Sequence, residues 1–222
     1  MENYCSPTYF IDADHPDIIA FSRTHTREGA SQKENAVSLY YAVRDKIRYN
    51  PYSIEPRRAA MKASGILSRG EGYCVAKAVL LAACLRTTGI PARLGFADVR
   101  NHLTTDKLRE KMGTDLFVWH GYTDVFLENR WVKATPAFNL SLCQAFGVKP
   151  LEFDGTEDSI FHPFDTRGNR HMEYVNDHGW FADLPWDRIL TACRKTYPKY
   201  FEDVDTMQGN FSEEAKAERS DE

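Results

Sequence analysis

No apolar run in the 222 residues approaches the roughly 18–20 needed to cross a bilayer, so no helical membrane span is expected. Lys and Arg never gather beyond pairs such as Arg57-Arg58, and the net charge is only −4, which argues against a nucleic-acid-binding stripe. Residues 1–7 hold no basic stretch leading into an apolar one, so no secretion signal is expected. The cysteines, at positions 5, 74, 84, 143 and 193, are odd in number and include no CxxC pair. They do not form a disulfide framework, and a reduced, cytoplasmic setting is expected. His102, His162, His171 and His178 show none of the short HxxxH or CxxC spacings that bind zinc, so no metal is expected. Gly70 and Gly72 lack the lysine and hydroxyl pair of a phosphate loop. No cofactor is expected, and no internal repeat is visible.

What is present is material for a core: 42% hydrophobic and 13% aromatic residues, enough for a single domain of this length to do without covalent staples. Helical spacing runs over 34–47, through Val37, Tyr40, Tyr41, Val43 and Ile47, and Asn50-Pro51 is expected to stop it. A short helix is expected over 59–67. The segment 74–88 is apolar on nearly every face, as a buried central helix is. Gly89 and Pro91 end it. Residues 92–99 alternate as a strand, and 118–127 and 130–134 form two more, joined at Glu128-Asn129 by a tight hairpin. Residues 1–34 read as an N-terminal arm with one strand, 141–146 as a short helix, and the stretch up to Trp180 as polar loops carrying aromatics. Residues 184–197 read as a helix, and the charged residues from Gln208 onward as a disordered tail. One domain over 1–207 is expected, with its core at about 35–140, an arm at 1–34, an accessory section at 141–207, and the tail at 208–222.

Gly70-Glu71-Gly72-Tyr73-Cys74 places a cysteine at the mouth of the apolar helix, just after two glycines. A helix N-terminus gathers unpaired N–H groups and the positive end of the dipole, and both favour thiolate, the nucleophilic form, over thiol. The turn leaves the Cys74 N–H free to donate to an oxyanion. Taken alone, a cysteine there is more often a small buried hydrophobe. His120, opening a strand and hairpin, changes the balance: a strand end beside the helix N-terminus is a suitable platform for a general base. Cys84, ten residues on and on another face of the same helix, is expected to be core. Trp119, beside His120, is expected to pack in the core.

Val43-Arg44-Asp45-Lys46-Ile47-Arg48-Tyr49-Asn50-Pro51-Tyr52, Gly70-Glu71-Gly72-Tyr73-Cys74, Thr88-Gly89-Ile90-Pro91-Ala92-Arg93, His120-Gly121-Tyr122 and Trp131-Val132-Lys133-Ala134-Thr135-Pro136 together resemble the transglutaminase-like superfamily. The resemblance is strongest to its small bacterial members, described as candidate cysteine proteases. It covers about residues 35–140. It implies an α+β, papain-like cysteine-proteinase fold, with the nucleophilic cysteine heading a helix packed on an antiparallel sheet. By position Cys74 matches the nucleophile and His120 the base. Family members place aspartate directly before the proline of the third strand; this chain has Thr135.

If Leu127 and Arg130 flank a two-residue turn, paired positions sum to 257 and His120 faces Ala137, with Thr135 and Asn139 as diagonal neighbours. Either could accept from the imidazole. Asn139 is preferred, because an amide carbonyl orients the ring in papain-like enzymes. Asp154 and Asp158 could supply the missing charge, although loop acids are usually just solvated. The chemistry expected is cysteine-dependent acyl transfer at an amide of a peptide or protein, through a thioester, with hydrolysis favoured over transamidation. The alternative is a binding module that keeps the fold with weak or no catalysis.

Overall fold

The computed structural model describes residues 2–101, 104–161, 172–202 and 209–220; His102, His162, His171 and Gln208 lie outside them. Helix α1 (Pro16–Thr24) precedes α2 (Gln32–Lys46), and the two-residue strand β1 (Arg48–Tyr49) follows. After α3 (Ala63–Arg69), β2 (Glu71–Gly72) pairs in parallel with β1 and delivers the chain into α4 (Cys74–Thr87). Strand β3 (Ala92–Asn101), helix α5 (Asp106–Met112), and the hairpin of β4 (Leu116–Leu127) and β5 (Arg130–Ala134) come next. The remainder is α6 (Leu140–Phe146), β6 (Met172–Phe181), α7 (Trp186–Thr196), α8 (Pro198–Glu202) and α9 (Phe211–Ser220). The main sheet is antiparallel in the order β5-β4-β3-β6, and α4 packs against it as the central helix of an α+β fold.

Local chemistry explains most of these elements. Ser31 and Glu34 close a capping box that starts α2 two residues before its apolar pattern begins. Every residue of α4 from Cys74 to Arg86 is buried, so its mantle is apolar all round. Its one lysine, Lys77, is buried, which pulls its amine well below the ordinary lysine value, and it donates to the carbonyls of Arg44 and Ile47 at 2.8 and 2.7 Å, closing the C-terminal end of α2. Gly89 takes a left-handed conformation and ends α4, as expected. Glu128 and Asn129 both have positive φ, 49° and 64°, and the β4–β5 ladder runs from Leu127↔Arg130 to Thr123↔Ala134 in the register the hairpin predicts.

Three expectations are corrected. The N-terminal arm carries no strand among the described residues; Ile18-Ile19-Ala20-Phe21 lies in α1, where Pro16 occupies the first turn and His15 caps it. The stretch read as loops up to Trp180 contains β6, an edge strand beside β3. In the charged tail, Phe211–Ser220 is helical: Phe211 and Ala215, one turn apart, are buried, and Glu214 accepts from the Tyr52 hydroxyl at 2.6 Å. Among the described residues no helix is long and apolar enough to cross a membrane.

Candidate active site

Cys74 is the first residue of α4, and Tyr73 before it is extended. Gly72 is tight: a Cβ there would meet the Ala76 methyl at 2.7 Å, so the turn into α4 has room only for glycine. Strand β4 then brings Gly121 against the same end of the helix, where an added Cβ would lie 2.9 Å from the Val75 Cα. This close approach sets the Gly121 N–H on the Cys74 side of β4, where it and the N–H groups of Val75 and Cys74 favour the thiolate. Gly121 directly follows His120, so helix mouth and hairpin meet where the sequence places nucleophile and base.

The electrostatics differ from expectation. Backbone N–H groups do surround the sulfur, but burial outweighs them and pushes the Cys74 thiol up to about 11. Tyr49, Tyr73, Tyr174, Tyr197 and Cys193 all stand near enough to sense a charge on Cys74. His120 is also buried, and burial lowers its imidazole to about 4. Its Nε2 has no hydrogen-bond partner, and its ring packs edge-on against Phe161, 5.4 Å between centroids. In this arrangement thiol and imidazole are both neutral.

Neither candidate for the third position bonds the His120 ring. Asn139 stands before α6, where its Oδ1 accepts from the Tyr49 N–H at 3.1 Å and its Nδ2 donates to Ser141 Oγ at 2.7 Å. Thr135 lies just past the end of β5, its carbonyl accepting from the Tyr40 hydroxyl at 3.1 Å. The Thr135 hydroxyl is buried and has no partner. Asp154 accepts from the Thr156 and Glu157 N–H groups and orders its own loop, while Asp158 accepts from the Lys133 N–H and holds that loop to β5.

Several features near the site were not foreseen. The Tyr73 hydroxyl is buried without a partner. The Tyr197 hydroxyl accepts from the Val118 N–H at 2.6 Å and donates to the Leu116 carbonyl at 3.0 Å, securing the start of β4. Trp119 has a φ of 56°, a left-handed conformation rare for a bulky residue, immediately before His120. All five cysteines are free and Cys84 is buried, both as expected, and burial pushes the Cys84 thiol up to about 12.

A family model described as the transglutaminase-like superfamily matches residues 19–136, just over half of the chain. No match is found among curated proteins. Among solved structures, the chain is similar to a protein from Cytophaga hutchinsonii described as a candidate cysteine protease. The identity is 13% and the TM-score 0.45, over 79% of this chain and 53% of that one, so the chain spans about half the length of that structure.

Proposed function

From a chain that belongs to the transglutaminase-like superfamily, we propose cysteine-dependent acyl transfer at an amide bond of a peptide or protein, with Cys74 as nucleophile and His120 as general base. His120 takes the thiol proton as the sulfur attacks the carbonyl carbon, and a tetrahedral oxyanion forms. The C–N bond then breaks, His120 returns the proton to the leaving amine, and a thioester remains on Cys74. Attack by water regenerates the thiol and releases acid; attack by an amine transfers the acyl group. Hydrolysis is the favoured outcome.

The observation that carries this reading is the close approach of Gly121 to Val75, where an added Cβ would lie 2.9 Å from the Val75 Cα, which ties the residue after His120 to the mouth of α4. The Gly121 N–H and those of Cys74 and Val75 can bear on an oxyanion as well as on the sulfur. Thr135, with its unpartnered hydroxyl, has hydrogen-bonding capacity to spare for the imidazole, whereas the Asn139 amide is already engaged at both ends.

The second reading, a binding module with weak or no catalysis, is favoured by the neutrality of thiol and imidazole and by Thr135 standing where the family has aspartate. Two experiments separate them. Incorporation of a fluorescent alkylamine into casein, and release of free amine from casein, should be lost in Cys74→Ala and kept in Cys84→Ala. Activity surviving in Cys74→Ala would exclude the thioester route. For the binding module, both assays stay blank in the parent chain and alkylation of Cys74 by iodoacetamide rises only as the pH nears 11.

A further inference from the structure

Between Ala97↔His120 and Val99↔Phe117 the β3–β4 register slips by one residue, so Val118 and Trp119 together oppose Asp98. This is a β-bulge, and Trp119 holds in it the left-handed conformation usually left to glycine. A large side chain stays in such a conformation only where its surroundings over-determine it. Here they come from two other strands. Asp98 Oδ1, on β3, accepts the Trp119 N–H at 2.9 Å. The same oxygen lies 2.7 Å from His178 Nε2, on β6. The His178 ring stacks on the Trp119 indole, 4.1 Å between centroids and 5° from parallel. Phe96 and Phe181 pack on the indole at 5.5 and 6.0 Å. Asp98 and His178 are both largely buried, and neither takes part in the proposed chemistry.

The bulge sits one residue before the candidate base. Since strand side chains alternate faces, adding or removing one residue there reverses the direction in which every following side chain leaves β4. Resting on the reading of Cys74 and His120 as nucleophile and base, we propose that Asp98 and His178 are positioning residues: they lock Trp119 in its bulge, and the bulge aims the His120 imidazole. The carboxylate fixes the strained peptide through its N–H, and the imidazole of His178 fixes the carboxylate while clamping the indole. Three strands thus converge on the peptide that sets the direction of the base.

The test follows the ring itself. In the full chain, the His120 imidazole cross-peak, assigned by its loss in His120→Gln, is recorded together with the rate of Cys74 alkylation by iodoacetamide across pH. Asp98→Ala is expected to displace the His120 peak and to slow alkylation at neutral pH by about tenfold or more, because misplacing a base by an ångström is costly. Asp98→Asn keeps an oxygen for the Trp119 N–H and should retain the parent peak position and most of the rate. An unmoved His120 peak in folded Asp98→Ala and His178→Ala overturns the proposal. Should Asp98→Ala fail to fold, His178→Ala is read by the same two signals. If His120→Gln leaves alkylation unchanged, the acyl-transfer reading fails, yet the response of the His120 peak to Asp98→Ala still decides whether the bulge aims the ring.

Discussion

The two ends of α4 are built to opposite standards. At the C-terminal end, Arg86 is buried and wholly satisfied: it donates to Ala92 O twice, at 3.0 and 2.9 Å, to Ser6 O at 2.8 Å and to Ala182 O at 2.6 Å. One guanidinium there ties the N-terminal arm, the start of β3 and the chain leaving β6 to the same turn of helix. Around the N-terminal end, Tyr73 Oη, His120 Nε2 and Thr135 Oγ1 are buried with no partner, and Trp119 is strained. Buried polar groups without partners are costly, and the fold tolerates them where a ligand or a reaction can use them. The contrast agrees with the proposed site, and Ser22 Oγ, Thr104 Oγ1 and Asp124 Oδ1 are buried without partners elsewhere.

That comparison can be broken from either side. The largest effect is expected at the satisfied end. Arg86→Met leaves one buried and two partly buried carbonyls short of a donor and should lower stability by on the order of 3 kcal/mol, measured by urea unfolding. A loss below about 1 kcal/mol would mean that the Arg86 network is not the anchor described.

Next comes the pH dependence carried by His120. Its folded value, about 4, lies below the ordinary 6.5, so between those values the unfolded chain binds the extra proton and the folded one does not. Stability therefore falls as pH drops through that window, by roughly 1 kcal/mol per unit, and His120→Gln should remove this component. Equal slopes for parent and variant in urea titrations at pH 4.5 and 6.5 would contradict a buried neutral ring.

The smallest effect sharpens the comparison most. Thr135→Val removes a buried hydroxyl that has no partner, and should raise stability by up to about 1 kcal/mol while reducing amine incorporation into casein. A destabilised Thr135→Val would show that the hydroxyl is satisfied after all.

What the sequence disclosed depended on how local the cause was. Helix α4 and the Glu128-Asn129 hairpin were legible because apolar content and turn chemistry lie in consecutive residues. The register of the hairpin followed from its turn alone. Strand β6 was hidden because Asn176-Asp177-His178-Gly179 reads as a loop; it is an edge strand, exposed over much of its length, whose partner β3 lies some 80 residues earlier. Helix α1 was mistaken for a strand because its run of β-branched and aromatic residues outweighed the proline that starts it. Helix α9 was missed because its charged surface left only Phe211 and Ala215 to show a buried face.

The candidate site was legible only in part. Positions 74 and 120 stand out by order and spacing, and the structure brings their neighbourhoods together. The neutrality of the pair was not legible, since it comes from burial, which depends on segments far apart in the chain. Nor was the Asp98–His178–Trp119 cluster, because a bulge is a property of two strands and cannot be read from one.

The Tyr197 hydroxyl has a consequence for how the molecule meets its own kind. Strand β5 covers β4 only from Thr123 onward, so the first residues of β4 present an open rail of backbone groups on that flank. Tyr197 occupies it, taking one amide hydrogen and feeding one carbonyl as a neighbouring strand would. A single phenol thereby blunts an edge on which another chain could zip.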